Sequence, residues 1–225
     1  PHIPVHLGAL GLCVRSVISI KKIRPGDMII TNHPGHGGSH LPDITLISPV
    51  FDNNNLLIGY IANRAHHAEL GGISPGSMPT RAKSLSEEGI VIPPTFLYQA
   101  NKPQFDEIKK ILNSSFWPTR CLEDNIADIK AQVAANLLGI RTLQRMASLY
   151  GTPKIINQIK KLRFRASIAI TRCIKSLNPG QFFTKEKLDD GSELIAKIVV
   201  EKDKIKFDFN GTSPPHIGNL NATPA

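Results

Sequence analysis

Apolar and polar positions alternate with two different periods along the chain. Leucine and valine recur through residues 5–20, which predicts a helix that the turn residues Arg24-Pro25-Gly26-Asp27 bring to an end. Three short apolar runs predict strands: residues 27–32, expected to be buried, and residues 44–51 and 56–62, both with β-branched side chains. The last two runs flank Asp52-Asn53-Asn54-Asn55, a sequence typical of turns, and we therefore expect them to form an antiparallel hairpin.

Helical periodicity is strongest in two long segments, residues 124–150 and 153–177. Asp124 is a predicted N-cap of the first segment, and Gly151 lies where a C-terminal glycine is favoured. We expect the two helices to pack as an antiparallel pair, with the basic residues of the second on a solvated face.

Shorter signals complete an α+β fold with mixed β hairpins or a sheet. Residues 90–92 predict a short strand that Pro93 and Pro94 end, and residues 103–112 predict a short helix. Residues 194–200 and 204–209 alternate in hydrophobicity and predict a second hairpin.

Composition narrows the function classes. The chain has 225 residues and a net charge of +9, which attracts anions in general and does not choose among them. Aromatic residues make up only 6%, which disfavours nucleic-acid binding by base stacking. The three cysteines form no Cys-x-x-Cys pair, and no apolar run approaches the length that crosses a bilayer, so we expect a cytoplasmic protein. Because the chain begins at Pro1 and stops directly after Gly-Asn-Leu-Asn and a few small residues, we also expect a fragment of a longer polypeptide.

Histidines concentrate around the first predicted hairpin. Five of the eight lie between Asn32 and Gly72. Two short motifs place a carboxylate three residues after an imidazole: His40-Leu-Pro-Asp43 and His66-His67-Ala-Glu69. The hairpin would return the second motif beside the first. Neutral imidazole with carboxylate is a ligand mixture that divalent transition metals accept. A site for a metal is one interpretation; loop histidines that only form hydrogen bonds or cap turns are the other.

The first long helix carries an unusual polar stripe. Asp128, Gln132 and Asn136 follow four-residue spacing on a face other than the apolar one. Such a stripe suits a wet pocket that binds polar groups of a substrate or a second ion, and an ordinary polar contact between helices is the alternative.

Several longer sequence motifs, spread from residue 4 to residue 221, match those of a known family. They are Pro4-Val5-His6-Leu7-Gly8-Ala9, Pro25-Gly26-Asp27, Gly37-Gly38-Ser39-His40-Leu41-Pro42-Asp43, His66-His67-Ala68, Gly71-Gly72-Ile73-Ser74-Pro75-Gly76-Ser77-Met78-Pro79, Glu88-Gly89, the stripe region from Asp128 to Asn136, Asp189-Asp190-Gly191-Ser192, Phe207-Asp208-Phe209-Asn210-Gly211-Thr212 and Gly218-Asn219-Leu220-Asn221. With these motifs the chain resembles the hydantoinase B family, and within it the C-terminal part of the ATP-dependent 5-oxoprolinases.

The resemblance implies a partial domain over residues 1–225. Its parts would be a histidine-rich half (1–112), the helix pair (123–177) and a β segment (178–225). It further implies hydrolysis of a cyclic amide such as 5-oxo-L-proline to L-glutamate in the glutathione cycle. A hydantoinase A-like half, fused or separate, would bind ATP and Mg, and the assembly would be a homo-oligomer. No Walker-type glycine loop occurs in this chain, which agrees with ATP binding elsewhere.

The resemblance also implies site residues. Carried over from the related acetone carboxylase alpha subunit, the metal ligands would be His40, Asp43 and His66, with His67 as the competing ligand and Mn or Zn as the metal. Glu69 stands where the family usually has aspartate, which leaves ligand and supporting roles open. His67 and Glu69 are candidates for proton transfer.

As mechanism, water would add to the activated carbonyl while Asp128, Gln132 and Asn136 position the substrate. The alternatives are an N-methylhydantoinase-type subunit, an acetone carboxylase-type subunit, and an inactive fragment or binding module.

Overall fold

The computed structural model describes residues 4–219 and 221–223. They form two compact units. Unit 1 is the chain up to Thr152 together with the segment from Ile217 onward, and unit 2 runs from Pro153 to His216. The helices are α1 (Pro4–Ile20), α2 (Leu85–Glu88), α3 (Phe105–Asn113), α4 (Leu122–Tyr150) and α5 (Thr152–Lys175). The strands are β1 (Met28–Thr31), β2 (Asp43–Phe51), β3 (Leu57–His66), β4 (Thr95–Gln99), β5 (Lys102–Pro103), β6 (Gly180–Lys187), β7 (Glu193–Val200) and β8 (Ile205–Asp208).

Unit 1 is built on an antiparallel five-stranded sheet with the order β3-β2-β1-β4-β5. Strands β2 and β3 form the predicted hairpin, in which Asp43 lies opposite His66 and Ile47 lies opposite Ala62. All of β1 and nearly all of β2 are buried. This explains why both strands read as continuous apolar runs rather than as alternating ones.

Helices cover both faces of this sheet. Ile29 and Ile47 pack with Cys13 and Val17 of α1 on one face. The neighbouring side chains of β1 and β2 point the other way, as strand geometry requires. There they meet α3 and α4 in a core of Ile30, Leu46, Ile108, Leu112, Ile126 and Ile129. The hairpin therefore has an α1 face and an α4 face, and this division decides where its polar residues go.

The start of α4 corrects the predicted N-cap. The helix begins at Leu122, so Asp124 lies inside its first turn, and the capping position belongs to Cys121 without a side-chain hydrogen bond. The carboxylate of Glu69 instead accepts hydrogen bonds from the backbone N–H groups of Arg120 (3.0 Å) and Cys121 (3.2 Å). A residue distant in sequence thus supplies the negative charge that a helix N-terminus favours.

The predicted strand at residues 90–92 is also wrong. The strand that pairs with β1 comes after the two prolines, at Thr95–Gln99. Residues 90–92 run beside Asn32, whose amide nitrogen donates to the Ile90 carbonyl (2.8 Å) and whose amide oxygen accepts from the Ile92 N–H (2.6 Å). Ile90 and Ile92 are buried, but this segment is not a strand of the sheet.

Unit 2 contains the antiparallel sheet β6-β7-β8 and almost all of α5. The hairpin of β7 and β8 was predicted, and β6 was not. Because α4 belongs to unit 1, the predicted pairing of the two long helices stays a prediction, as does the division into three segments. Within the described chain no helix is both long and apolar enough to cross a membrane, and all three cysteines are free thiols.

Candidate metal centre

The β2–β3 hairpin brings His66 to Asp43. The two residues are direct partners across the antiparallel pair, so their side chains leave the same face of the sheet. His66 Nδ1 lies 2.9 Å from Asp43 Oδ1. The Asn-rich turn at the far end of the hairpin sets the register, and a slip of one residue would turn one of these side chains to the opposite face.

His40 reaches the same carboxylate through a tight turn. The backbone N–H of His40 donates to Asp43 Oδ2 (3.1 Å), and the N–H of Asp43 donates to the His40 carbonyl (3.0 Å). This turn holds His40 Nδ1 at 3.3 Å from Asp43 Oδ2. The rings of His40 and His66 stand edge to face with centroids 5.8 Å apart.

The three side chains together form a donor set for one cation. One ligand atom from each of His40, Asp43 and His66 lies within 4.8 Å of the other two. The Asp43 side chain is fully buried, whereas His40 and His66 are 42% and 48% exposed. Two imidazoles and one carboxylate fit Zn, Mn or Fe, and they leave coordination positions for water or substrate on the exposed side. The residues present therefore fit a divalent transition metal.

Sequence reasoning missed a third histidine at this carboxylate. His6 of α1 has its Nε2 atom 3.8 Å from Asp43 Oδ1. Its Nδ1 atom is buried and has no hydrogen-bond partner within the described residues. No local spacing relates residue 6 to residue 43, because α1 meets the hairpin only through the packing of the sheet. The one available signal was that His6 lies in a sequence motif shared with the family that the chain resembles.

The glycines of the histidine-rich loop allow that packing. Gly37 has a φ of +83°, and a Cβ atom there would lie 2.6 Å from the backbone nitrogen of Cys13 in α1. Gly38 does not need a positive φ, but a Cβ atom on it would lie 2.2 Å from the Asn32 carbonyl oxygen. Residue 37 must therefore be glycine for both its backbone conformation and its lack of space, and residue 38 for lack of space alone.

His67 points away from the metal triad. Its side chain is buried, with Nδ1 at 2.7 Å from Asn125 Oδ1 and Nε2 at 3.2 Å from Gln132 Oε1. Asp128 Oδ2 lies 4.0 Å from His67 Nδ1 and is largely exposed. Because His67 follows His66 and faces the opposite side of the hairpin, the geometry favours His66 as the ligand.

Gln132 and Asn136 of the polar stripe are buried in a network of amides. Gln132 Nε2 donates to the Ile44 carbonyl and to Asn63 Oδ1, both at 2.9 Å. Asn63 Nδ2 donates to Asn136 Oδ1 (2.8 Å), and Asn136 Nδ2 donates to Ser48 Oγ (3.0 Å). The stripe therefore attaches α4 to the hairpin, and only its exposed member, Asp128, is open to a ligand.

Glu69 is likewise engaged with protein groups. Besides the two backbone N–H groups that precede α4, it accepts from the Thr119 hydroxyl and from the Gly71 N–H. Burial by itself raises the pKa of the Glu69 carboxyl, but the hydrogen bonds, first that of Thr119, outweigh burial and hold the pKa below its ordinary value. The carboxylate is therefore ionised, and its oxygens are occupied by hydrogen bonds from protein groups.

The eight predicted site residues consequently fall into two groups. The metal triad lies on the α1 face of the hairpin, as the contact between Asp43 and His6 shows. The catalytic candidates lie on or near the α4 side: His67, Glu69, Asp128, Gln132 and Asn136. The sheet separates most of them from the triad. Their assignment to catalysis stays a prediction.

A cavity of about 370 Å³ lies elsewhere in unit 1. Its lining includes Asp27, Phe51, Tyr98, Val133, Leu137 and Gln144, and none of the eight predicted site residues. It is predominantly apolar at the end of the hairpin that carries the Asn-rich turn. The chemistry-bearing residues and this cavity are therefore separate features.

The fold and the triad agree with the comparisons to known proteins. Residues 1–225 match the family model Hydantoinase B/oxoprolinase, and the chain belongs to this family. It is 39% identical over 239 residues to a 5-oxoprolinase of Saccharomyces cerevisiae and 38% identical over 251 residues to 5-oxoprolinase 1 of Arabidopsis thaliana. The whole chain is covered in both, but it spans only 19% and 20% of those relatives.

Two solved structures share the fold. The ATP-dependent caprolactamase of Pseudomonas jessenii matches with a TM-score of 0.80 at 26% identity, over 91% of this chain and 36% of that one. A nucleotide-free acetone carboxylase structure matches with a TM-score of 0.80 at 17% identity, over 97% of this chain and 31% of that one, which supports the fold alone. The α+β fold and the fragmentary extent expected from sequence are thereby confirmed.

Proposed function

We propose that this chain is the hydantoinase B-type part of an ATP-dependent hydrolase that opens 5-oxo-L-proline to L-glutamate. Relatives named 5-oxoprolinase, which are 33–39% identical to it, support the substrate. The caprolactamase subunit beta of Pseudomonas jessenii, 26% identical over 200 residues, supports cyclic amides as the substrate class. The observation that carries the chemistry is the convergence of His40, Asp43 and His66 on one point.

In this proposal the triad holds a divalent transition metal, Mn or Zn. Such an ion supplies Lewis acidity and lowers the pKa of water that it binds. Asp43 is held from one side by the His40 N–H and is fully buried, so its position is fixed before substrate arrives. Since His40 and His66 are half exposed, the substrate enters from their side.

The reaction requires water to add to the amide carbon after phosphorylation of the amide oxygen. The carbon–nitrogen bond then breaks, the ring nitrogen gains a proton, and an acyl phosphate remains. A second water displaces phosphate from this acyl phosphate and releases the carboxylate of the product. Phosphorylation belongs to a hydantoinase A-like half with ATP and Mg, because this sequence contains no phosphate-binding glycine loop of the Walker type. The cytoplasmic location and the homo-oligomer stay predictions.

For the residues on the α4 side we propose a supporting role in catalysis: they hold the hairpin in position. Gln132 and Asn136 bind Asn63, which lies one strand position from Arg64 and three from His66. His67 and Glu69 fix the chain directly after His66. Asp128 is the one member exposed enough to contact a substrate.

The metal site is tested on purified chain by measuring bound metal in wild type, His40→Ala and Asp43→Asn. We expect close to one equivalent in wild type, and almost none in either variant, because each loses a ligand of a three-ligand site. His216→Ala, which removes a histidine in unit 2, should leave the metal content unchanged. Full metal content in Asp43→Asn would reject the site.

The activity is tested with the companion half present. Hydrolysis of 5-oxoproline, hydantoin and caprolactam is compared with carboxylation of small ketones, with ATP cleavage recorded in parallel. We expect 5-oxoproline to be opened with ATP cleavage, and ring opening to be lost in Asp43→Asn. Turnover of a ketone or of hydantoin alone would assign the chain to one of the other branches of the family.

A further inference from the structure

Arg64 lies beside the metal triad on the same face of the hairpin. It precedes His66 by two residues on β3, which places the two side chains on one side of the sheet about 7 Å apart along the strand. Its partner across the hairpin is Thr45, two residues after Asp43 on β2. Arg64 as a whole is half-buried.

Within the described part of the chain, the hydrogen-bond acceptors of this guanidinium group are electrically neutral. Nε donates to Thr45 Oγ1 (2.8 Å), Nη1 to Ser39 Oγ (3.0 Å) and Nη2 to the Gly37 carbonyl (2.6 Å). Within the described residues no carboxylate lies within ion-pair distance of it. These contacts fix the orientation of the side chain and leave its charge without a counter-ion, which is costly for a partly buried cation.

The Cys13 thiol of α1, which lies near Arg64, does not neutralise the guanidinium charge. Burial raises the pKa of the Cys13 thiol, and the nearby Arg64 only partly offsets that effect. Cys13 therefore stays a neutral thiol at neutral pH. A fixed arginine without an acidic partner, next to a candidate reaction centre, is the usual composition of an oxyanion site.

We infer that Arg64 binds the phosphoryl group of the activated substrate, and the phosphate that leaves after ring opening, beside the metal triad. The inference rests on the proposed function, because that function brings a phosphorylated amide to this face. The loop carbonyl and the two hydroxyls hold the planar guanidinium in place, so that its remaining edge can face an oxyanion with little loss of conformational entropy. A carboxylate group of the substrate is the competing ligand.

The test uses inorganic phosphate as probe and calorimetric titration of the purified chain, without ATP or turnover. Arg64→Gln should weaken phosphate binding at least about tenfold, since a charged, directed contact is lost. Arg64→Lys should bind with intermediate affinity, because it keeps the charge and loses the fork. Arg145→Gln, an equal change of charge at an exposed position of α4, should bind phosphate as wild type does.

Ser39→Ala separates ligand binding from anchoring of the loop. It removes one loop contact of Arg64 and keeps the cation, so phosphate affinity should remain within about threefold of wild type. If Ser39→Ala weakens phosphate binding as much as Arg64→Gln does, the role of Arg64 is only to hold the loop. Circular dichroism of each variant verifies that the fold is retained.

Two further outcomes distinguish this inference from the proposed function. Phosphate binding that is equal in wild type and Arg64→Gln, or Arg64-dependent binding of acetate and 5-oxoproline without phosphate, overturns the inference while metal binding by the triad stands. Loss of the metal site with intact Arg64-dependent phosphate binding overturns the proposed function alone.

Discussion

Glu69 links two segments that are far apart in sequence. Its carboxylate accepts hydrogen bonds from Thr119, Arg120 and Cys121, which lead into α4, and from Gly71, which follows the hairpin. Arg120 Nη1 lies 3.5 Å from it as well. A buried carboxylate is stable only with such a set of donors. The residue therefore determines how the chain after His66 meets the helix.

We expect Glu69→Gln to lower the free energy of unfolding by about 1–3 kcal/mol at pH 7, because a neutral amide cannot accept all of these bonds. The folded-state pKa lies below the ordinary value of 4.5. Its contribution to stability is accordingly complete above that value and is lost as the pH falls through the folded pKa.

Urea unfolding at pH 7 and between pH 5 and pH 3 measures both effects. The wild-type protein should lose stability over the acidic interval more steeply than Glu69→Gln. Glu107→Gln, at an exposed position of α3, is the matched control and should follow wild type. Parallel profiles of stability against pH for wild type and Glu69→Gln would contradict a stabilising role of the ionised Glu69 carboxylate.

At the scale of elements, the β2–β3 hairpin is the part that carries chemistry, and α4 is the part that holds it. One face of the hairpin presents Asp43, Arg64 and His66, while the other is tied to α4 through Asn63 and Gln132. Alternation of side chains along a strand makes this division unavoidable. Residues that support the site and residues that form it thus share the same two strands.

Gln132→Ala distinguishes a supporting role from substrate binding. We expect a loss of about 1–3 kcal/mol in stability, since the Ile44 carbonyl and Asn63 Oδ1 both lose their donor. A direct contact with substrate would instead raise KM with little change in stability. Thermal unfolding and steady-state kinetics of this variant decide between the two, with the exposed Gln158→Ala as control.

For the whole molecule, unit 2 exposes an uncommon amount of apolar surface. Phe182 of β6 and Phe207 of β8 both pair with Ile198 of β7, so the three side chains form a row across one face of the sheet. The two phenylalanines are 53% and 60% exposed. Exposed rows of this kind exceed what a small sheet normally presents to water.

The double variant Phe182→Ser, Phe207→Ser should reduce the fluorescence of the hydrophobic dye ANS bound to the chain by roughly half, because the row supplies contiguous apolar area. Lys197→Ser lies one position away on β7, on the opposite face, and should leave the fluorescence unchanged. Equal dye binding by wild type and the double variant would show that the dye binds elsewhere.

The sequence by itself determined the local elements and the nearest contacts. The Asn-rich turn and two apolar runs specify the hairpin, so the pairing of Asp43 with His66 and the closeness of His40 follow from short-range rules. The span of α4 was also determined locally, because three- and four-residue spacing of apolar side chains persists over its whole length.

Only the tertiary structure decided which face each polar residue occupies. Periodicity does not state that α1 covers one side of the hairpin and α4 the other, so it could not bring His6 to Asp43 or separate Gln132 from the triad. It also missed β4. This strand begins after the two prolines and joins the sheet by pairing with the edge of β1 that β2 leaves free. These outcomes depend on contacts between residues 30 to 90 positions apart, and such contacts leave no repeat in the sequence.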